Sequence, residues 1–173
     1  MPRVRSRRLG APAAGGGADG TGPVTALSVD LDQVGTDADT AEKDLLTFVL
    51  PANTLATDGD AVRIRGYVLC AGNANVKEAK MHFGATELIS STAIAYNGQA
   101  FSFDAMVYRT GVGTQFAYGK FLRSLGAVLG KRTTPTDDET GTITIRLTGQ
   151  NGTASANDIV SDGLIVDKIA APA

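Results

Sequence analysis

The strongest constraint on the fold is a two-residue alternation of apolar and polar side chains. In the stretch 61–70, apolar residues or glycine fall at every second position, with two arginines and a tyrosine among the residues between them. The same period runs through 101–108 and 142–148. Because successive side chains of a β-strand point to opposite faces, this period predicts strands that are buried on one face. No segment has the pattern of a convincing amphipathic helix, so the sequence predicts an all-β fold.

About eight short strands are expected, separated by turn residues at intervals of roughly 8–12 residues, which is typical of a sandwich or barrel. The predicted strands are 45–50, 61–70, 77–83, 86–90, 101–108, 114–125, 142–148 and 159–166. The stretch 126–139 is polar and irregular and is expected to be a loop. Eight antiparallel strands can close as a jelly roll, which limits exposed sheet edges. We therefore expect an antiparallel jelly-roll β-sandwich with an extended N-terminal arm.

The alternation also predicts which side chains form the core, since one face of each strand is apolar. The residues expected inside are Ile64, Val68, Phe103, Val107, Ile145 and Leu164.

The N-terminal region has a charge pattern different from the rest of the chain. The first eight residues contain Arg3, Arg5, Arg7 and Arg8; without them the 16 Lys and Arg fall to 12, against 18 Asp and Glu. A glycine-rich linker follows at 10–23, and then an acidic stretch of extended character at 24–44, which holds a candidate strand. We expect 1–43 to be a flexible arm, Arg-rich and then acidic, and 44–173 to be the sandwich.

Guanidinium groups bind carboxylates and phosphates through two parallel hydrogen bonds, so the four arginines are the candidate partner-binding residues. A solvated terminus and a transit peptide are alternative interpretations of the same residues.

Composition argues against several classes of active site. The single cysteine, Cys70, excludes an intramolecular disulfide and a cysteine-based zinc site, and we expect it to pack as a small apolar residue. The single histidine, His82, is expected to be structural, because no nucleophile is spaced to lie beside it.

The absence of Trp and the 6% aromatic content argue against an aromatic platform for sugars or nucleic acid. No run reaches the ~18 apolar residues of a transmembrane helix.

Two carboxylate clusters, 58–60 (Asp-Gly-Asp) and 137–139 (Asp-Asp-Glu), are the best candidates for a cation site. Neither has the spacing of a known calcium loop, and acidic turns are common on protein surfaces. We therefore expect no metal, no cofactor and no catalytic residues, and we expect that the protein is not an enzyme.

Several turn and strand motifs resemble those of small jelly-roll domains in virion structural proteins of tailed bacteriophages. The resemblance covers about residues 44–169. The stretches that carry it are LPANTLATDGD at 50–60, VRIRGY at 62–67, ANVK at 74–77, MHFG at 81–84, NG at 97–98, FDAMVYRTG at 103–111 and TGQNGTASANDI at 148–159. It implies the jelly-roll fold, a place in the virion and a homotrimer, and it brings no catalytic residues.

Such domains occur as head decoration (cement) proteins and in tail fibres or spikes. With the Arg-rich arm, the resemblance favours a decoration protein on the capsid surface, whose partners are the major capsid protein and further copies of itself. A tail fibre, spike or baseplate component that binds a host receptor is the alternative, and a depolymerase on a β-sandwich is a third hypothesis. Arginines can also neutralise nucleic-acid phosphates, but the acidic body argues against a nucleic-acid partner, and no membrane partner is expected.

Overall fold

The computed structural model describes residues 22–124, 126 and 128–172, which form two antiparallel β-sheets packed face to face. The strands are β1 (Val24–Asp30), β2 (Glu42–Leu50), β3 (Ala61–Cys70), β4 (Val76–Phe83), β5 (Thr86–Ser90), β6 (Ile94–Ala95), β7 (Ala100–Gly111), β8 (Thr114–Arg123), β9 (Val128–Thr133), β10 (Ile143–Asn151) and β11 (Ile159–Ile169). These residues include no helix, and hence none that could cross a bilayer. The expected all-β sandwich is confirmed.

The chain passes repeatedly from one sheet to the other, as in a jelly roll. The six-stranded sheet has the order β1-β11-β3-β7-β8-β9. The five-stranded sheet has the order β2-β10-β4-β5, with β6 paired to β4. Two strands from the end of the chain, β10 and β11, therefore lie between strands from its beginning.

Three strands were not among the eight expected. Residues 24–30, which were expected to be extended, form β1 and pair with β11. The two-residue β6 is too short to leave a periodic signal. The prediction of a loop at 126–139 was wrong for its first half, because 128–133 form β9 at the edge of the six-stranded sheet. An edge strand is held by main-chain pairing, so its side chains need not alternate in polarity.

Residues 24–43, assigned from the sequence to the arm, contribute to both sheets. They hold β1, the first two residues of β2, and a bridge between Gly35 and Val160. Main-chain pairing joins this segment to the sandwich, and Leu27 and Val34 pack partly buried against the core, although the acidic composition of the segment had indicated an arm.

The core lies between the two sheets and contains all six residues predicted from alternation. Ile64, Val68, Phe103, Val107, Ile145 and Leu164 are at most 1% exposed. Four aromatic rings in the core pack against one another, those of Tyr96, Phe101, Phe103 and Phe121, and the rings of Phe103 and Phe121 have centroids 5.3 Å apart.

Two glycines allow close approaches in the six-stranded sheet. At Gly66 an added Cβ would lie 3.0 Å from methyl groups of Leu147 and Met81 on the facing sheet. Gly163 follows a β-bulge in β11 and has a φ of 153°, a conformation that side chains with a Cβ rarely adopt. The same glycine makes room for the chain that leaves β1, since Leu31 and the Asp30 carbonyl lie against it.

Candidate functional site

The four arginines of the predicted partner-binding arm, Arg3, Arg5, Arg7 and Arg8, lie outside the described residues. The described chain begins at Gly22, just before β1. β1 is the edge strand of the six-stranded sheet.

The outer surface of the six-stranded sheet carries a continuous group of aromatic, apolar and cationic side chains. Cross-strand pairing places these side chains next to one another on β7, β8 and β9. They point to solvent, whereas the residues that alternate with them along β7 and β8 point into the core. We call this surface the aromatic face; its members are Met106, Tyr108, Phe116, Tyr118, Lys120, Leu122 and Arg132. The side chains are solvent-accessible, Tyr118 for example being 43% exposed. Exposed aromatic groups at this density are typical of an interaction surface.

The rings of the aromatic face are ordered by their neighbours. Tyr108 and Phe116 stack with centroids 6.3 Å apart. The Arg132 guanidinium lies 4.8 Å from the centroid of Phe116, and the Lys120 ammonium lies 5.9 Å from that of Tyr118. Such contacts hold a cation over a ring face without neutralising its charge.

A shallow cleft of about 270 Å³ opens on the aromatic face between β3 and β8. Its lining includes Tyr108, Tyr118, Lys120 and an ion pair between Arg63 and Asp104, whose N–O distance is 2.6 Å. Asp104 neutralises Arg63, whereas Lys120 and Arg132 form no salt bridge with any residue that the structure describes. The aromatic face therefore carries a net positive charge.

The far edge of the same sheet has the opposite charge. We call it the acidic edge; its members are Val29, Asp30, Leu31, Asp32 and Asp162. Val29 and Leu31 are 61% and 65% exposed. The three carboxylates form no salt bridge within the described part of the chain. Apolar and acidic residues thus alternate along this edge: Val29 pairs with Ile165 on the outer side, whereas the half-buried Asp30 pairs with the buried Leu164 on the core side.

The two carboxylate clusters considered as cation sites meet an arginine instead. The Arg109 Nε lies 3.3 Å from Asp58 and 3.0 Å from the buried Glu139. Glu139 also accepts a hydrogen bond of 2.9 Å from the main chain of Gly113. Asp60 accepts main-chain hydrogen bonds, including one of 2.8 Å from Ala171. No group of three or more His, Cys, Asp or Glu among the described residues is arranged to hold a metal ion.

A second polar network ties together loops at the opposite end of the sandwich. Lys77 is fully buried, and its ammonium donates to the Asn73 side chain at 2.6 Å and to the Asn75 carbonyl at 3.0 Å. The buried Asp158 accepts from the Asn73 and Asn75 amides, both at 2.7 Å, and from Ser155 at 3.0 Å. Burial by itself would raise the pKa of Asp158, but these donors and the charge of Lys77 lower it. The network is fully bonded and serves the fold.

His82 lies on β4, at the outer surface of the five-stranded sheet, where its Nε2 is 3.1 Å from Glu42. Glu42 also accepts from Lys80 at 2.9 Å and from Thr148 at 2.8 Å. Burial lowers the pKa of His82, and the charge of Arg146 lowers it further, while Glu42 opposes both. Among the described residues, the hydrogen-bond partner of the imidazole is the carboxylate of Glu42.

The His82→Gln variant is expected to lose less stability than the wild type when the pH is lowered. Because burial favours the neutral imidazole, below pH 6.5 the unfolded chain binds more protons than the folded one. Wild-type stability therefore falls as the pH drops from 6.5 through the lowered folded-state pKa, and glutamine removes that part of the fall. Urea unfolding between about pH 7.5 and about pH 5 measures the difference. Equal pH slopes for the two proteins would contradict this assignment.

Cys70 lies at the end of β3 and is buried, and burial raises the pKa of its thiol to about 12. The thiolate that cysteine chemistry requires is therefore absent at neutral pH. The side chain packs in the core, as expected.

The aromatic face was missed because the composition was considered as an average. Although aromatics are only 6% of the chain, two neighbouring strands place Tyr108, Phe116 and Tyr118 together. The available signal was the alternation itself, since these residues fall at the positions between the buried ones on β7 and β8. What the sequence could not show was which strands are neighbours.

No protein-family model and no curated protein matches this sequence. Among solved structures, the chain is similar to the CBM2 module of the evolved Dit of Lactobacillus casei BL23 phage J-1. The TM-score is 0.43 at 12% identity, over 73% of this chain and 70% of that one. It is also similar to peanut lectin with a 9mer peptide, with a TM-score of 0.45 at 5% identity, over 90% of this chain and 95% of the other. These likenesses concern the β-sandwich alone, and no residue role follows from them.

Proposed function

We propose that this protein is a structural component of a tailed-phage virion, and specifically a head decoration protein that binds the assembled capsid as a homotrimer. The observation that carries the proposal is the aromatic face. Its tyrosines, phenylalanine, methionine and arginine are the residue types enriched where proteins bind each other. The motifs of residues 44–169 that resemble virion jelly-roll domains support the same assignment.

The proposed activity is mechanical. A protein that binds the assembled shell but not its separate subunits stabilises the shell by mass action. The major capsid protein is the partner, and Arg3, Arg5, Arg7 and Arg8 pair with acidic groups on it. Pairs that are partly removed from solvent contribute most to such binding.

Replacing the four arginines with alanine is expected to weaken capsid binding by roughly tenfold or more, because the charged hydrogen bonds to the shell are lost. The measurement adds purified protein to capsids that lack it and counts the bound copies per capsid protein. The matched control replaces the same residues with lysine, which keeps the charge but loses the two-pronged hydrogen bonds. Unchanged binding of the alanine variant would overturn the role of the arm.

The copy number in purified virions tests the location. A number comparable to that of the major capsid protein supports a decoration protein. A small fraction of that number would support the alternative, a tail fibre, spike or baseplate component that binds a host receptor. Absence from virions would contradict both the decoration protein and the tail component.

The cleft on the aromatic face favours the tail component, since Tyr108 and Tyr118 border hydrogen-bonding groups of Asp104 and Lys120.

A further inference from the structure

Two surfaces of opposite charge lie on the six-stranded sheet, and neither has a partner within the described chain. The aromatic face occupies the outer surface of β7–β9, and the acidic edge follows β1 at the other side of the sheet. We propose that copies of this chain associate head to tail, with the acidic edge of one copy lying on the aromatic face of the next.

The chemistry of the two surfaces is complementary. The acidic edge offers Asp30, Asp32 and Asp162, and the aromatic face offers Lys120 and Arg132, none of them in a salt bridge with a described residue. Opposite potentials across an interface favour the correct partner and fix its orientation.

The apolar groups of the two surfaces match as well. Val29 and Leu31 are the apolar groups of the acidic edge, 61% and 65% exposed, and Val29 lies on the side of the strand opposite to Asp30. On the aromatic face, Leu122 and the ring of Tyr118 are 46% and 43% exposed beside the cations. Contact between the surfaces would remove both sets of apolar groups from water.

A second copy is needed because the surfaces cannot meet within one chain. Cross-strand pairing aligns Asp30 with Leu164, Gly66, Phe103, Phe121 and Leu129 in one row across the sheet. Lys120 on β8 and Arg132 on β9 lie four and five strand-to-strand steps from β1, which are spans of about 19 Å and about 24 Å.

A contact between two different surfaces is heterologous, and repeated contacts of this kind close into a ring when the rotation between copies allows it. The structure thus identifies surfaces that could build the homotrimer. This inference rests on the self-association in the proposed function, but it can fail while capsid binding stands, since a monomer can also bind a shell.

Light scattering after size-exclusion chromatography of the full chain tests the inference. The wild type is expected to form a closed oligomer of three copies. The Lys120→Glu/Arg132→Glu and Asp30→Lys/Asp32→Lys variants are each expected to associate roughly tenfold or more weakly, because like charges would then face each other. The chain that carries all four substitutions restores opposite charges at every contact and is expected to recover the oligomer.

The matched control is Asp39→Lys/Asp138→Lys, which makes the same charge change at exposed carboxylates outside both surfaces and is expected to leave the oligomer intact. Far-UV circular dichroism shows whether each variant is folded. A monomeric wild type would overturn the inference, as would a trimer unaffected by both reversals. A monomer whose capsid binding is lost on Lys120→Glu/Arg132→Glu would assign the aromatic face to the shell protein instead, and would equally overturn it.

Discussion

Replacing Asp158 with alanine is expected to lower the free energy of unfolding by about 3–5 kcal/mol, the usual cost of removing one partner from a buried charged network. The substitution leaves the amides of Asn73 and Asn75 without their acceptor and removes the negative charge near the buried Lys77. Since domains of this size are stable by only about 5–15 kcal/mol, a loss of this size would consume much of the margin. Equilibrium unfolding in urea measures it.

Two controls distinguish the loss of a partner from the buried network from the mere loss of a charged group. Lys131→Met removes the partly exposed ion pair with Glu87, whose N–O distance is 2.7 Å, and is expected to lower the free energy of unfolding by at most about 1 kcal/mol. In the double variant Lys77→Met/Asp158→Ala, both charges are gone, so the combined loss is expected to be smaller than the sum of the single losses. Strict additivity would show that Lys77 and Asp158 do not interact.

Replacing Phe103 with alanine is expected to lower the free energy of unfolding by about 3–5 kcal/mol. The substitution opens a cavity, and the surrounding core cannot fully collapse to fill it. Phe103 is 1% exposed, packs on Phe121, and lies beside Gly66 on β3, where no side chain is present to fill the space. Urea unfolding is again the measurement, at one protein concentration for all variants, since association adds to apparent stability.

Tyr108→Ala is the matched control for Phe103, because it truncates a ring on the outward face of the same strand. Since Tyr108 belongs to the aromatic face, both substitutions are compared in the Lys120→Glu/Arg132→Glu background, in which association is expected to be weakened. Tyr108 is 38% exposed, and its truncation is expected to lower the free energy of unfolding by about 1 kcal/mol. A near-neutral effect at Phe103 with a large effect at Tyr108 would mean that the sheet faces are reversed by a register shift of one residue.

The fold could be predicted where burial imposes alternation. Strands such as β3 and β7 are buried on one face and exposed on the other, so Ile64 and Phe103 were assigned correctly from the sequence alone. The same reasoning failed for β9, because main-chain pairing holds that edge strand without requiring apolar side chains. It also gave residues 24–43 the character of an arm, although β1 pairs with β11 more than a hundred residues later.

The candidate site was harder to predict because it depends on which strands are neighbours. The acidic turns at Asp58 and Glu139 looked like possible cation ligands, but sequence distance hid the arginine between them, Arg109. In the same way, Tyr108 and Phe116 form a stacked pair only because β7 and β8 are adjacent. Local patterns indicate which side of a strand is apolar, whereas a surface is assembled from several strands.

The strand order has a consequence for how the chain is made. β11 lies between β1 and β3, and β10 lies between β2 and β4, so neither sheet can close until residues 143–169 have left the ribosome. Until then the nascent chain holds four early strands with unpaired main-chain edges, which are the sites where β-proteins aggregate. Pairings this distant along the chain also fold slowly, on the order of milliseconds to seconds. The nascent chain is therefore expected to be most prone to aggregation in the interval between the emergence of β1 and that of β11.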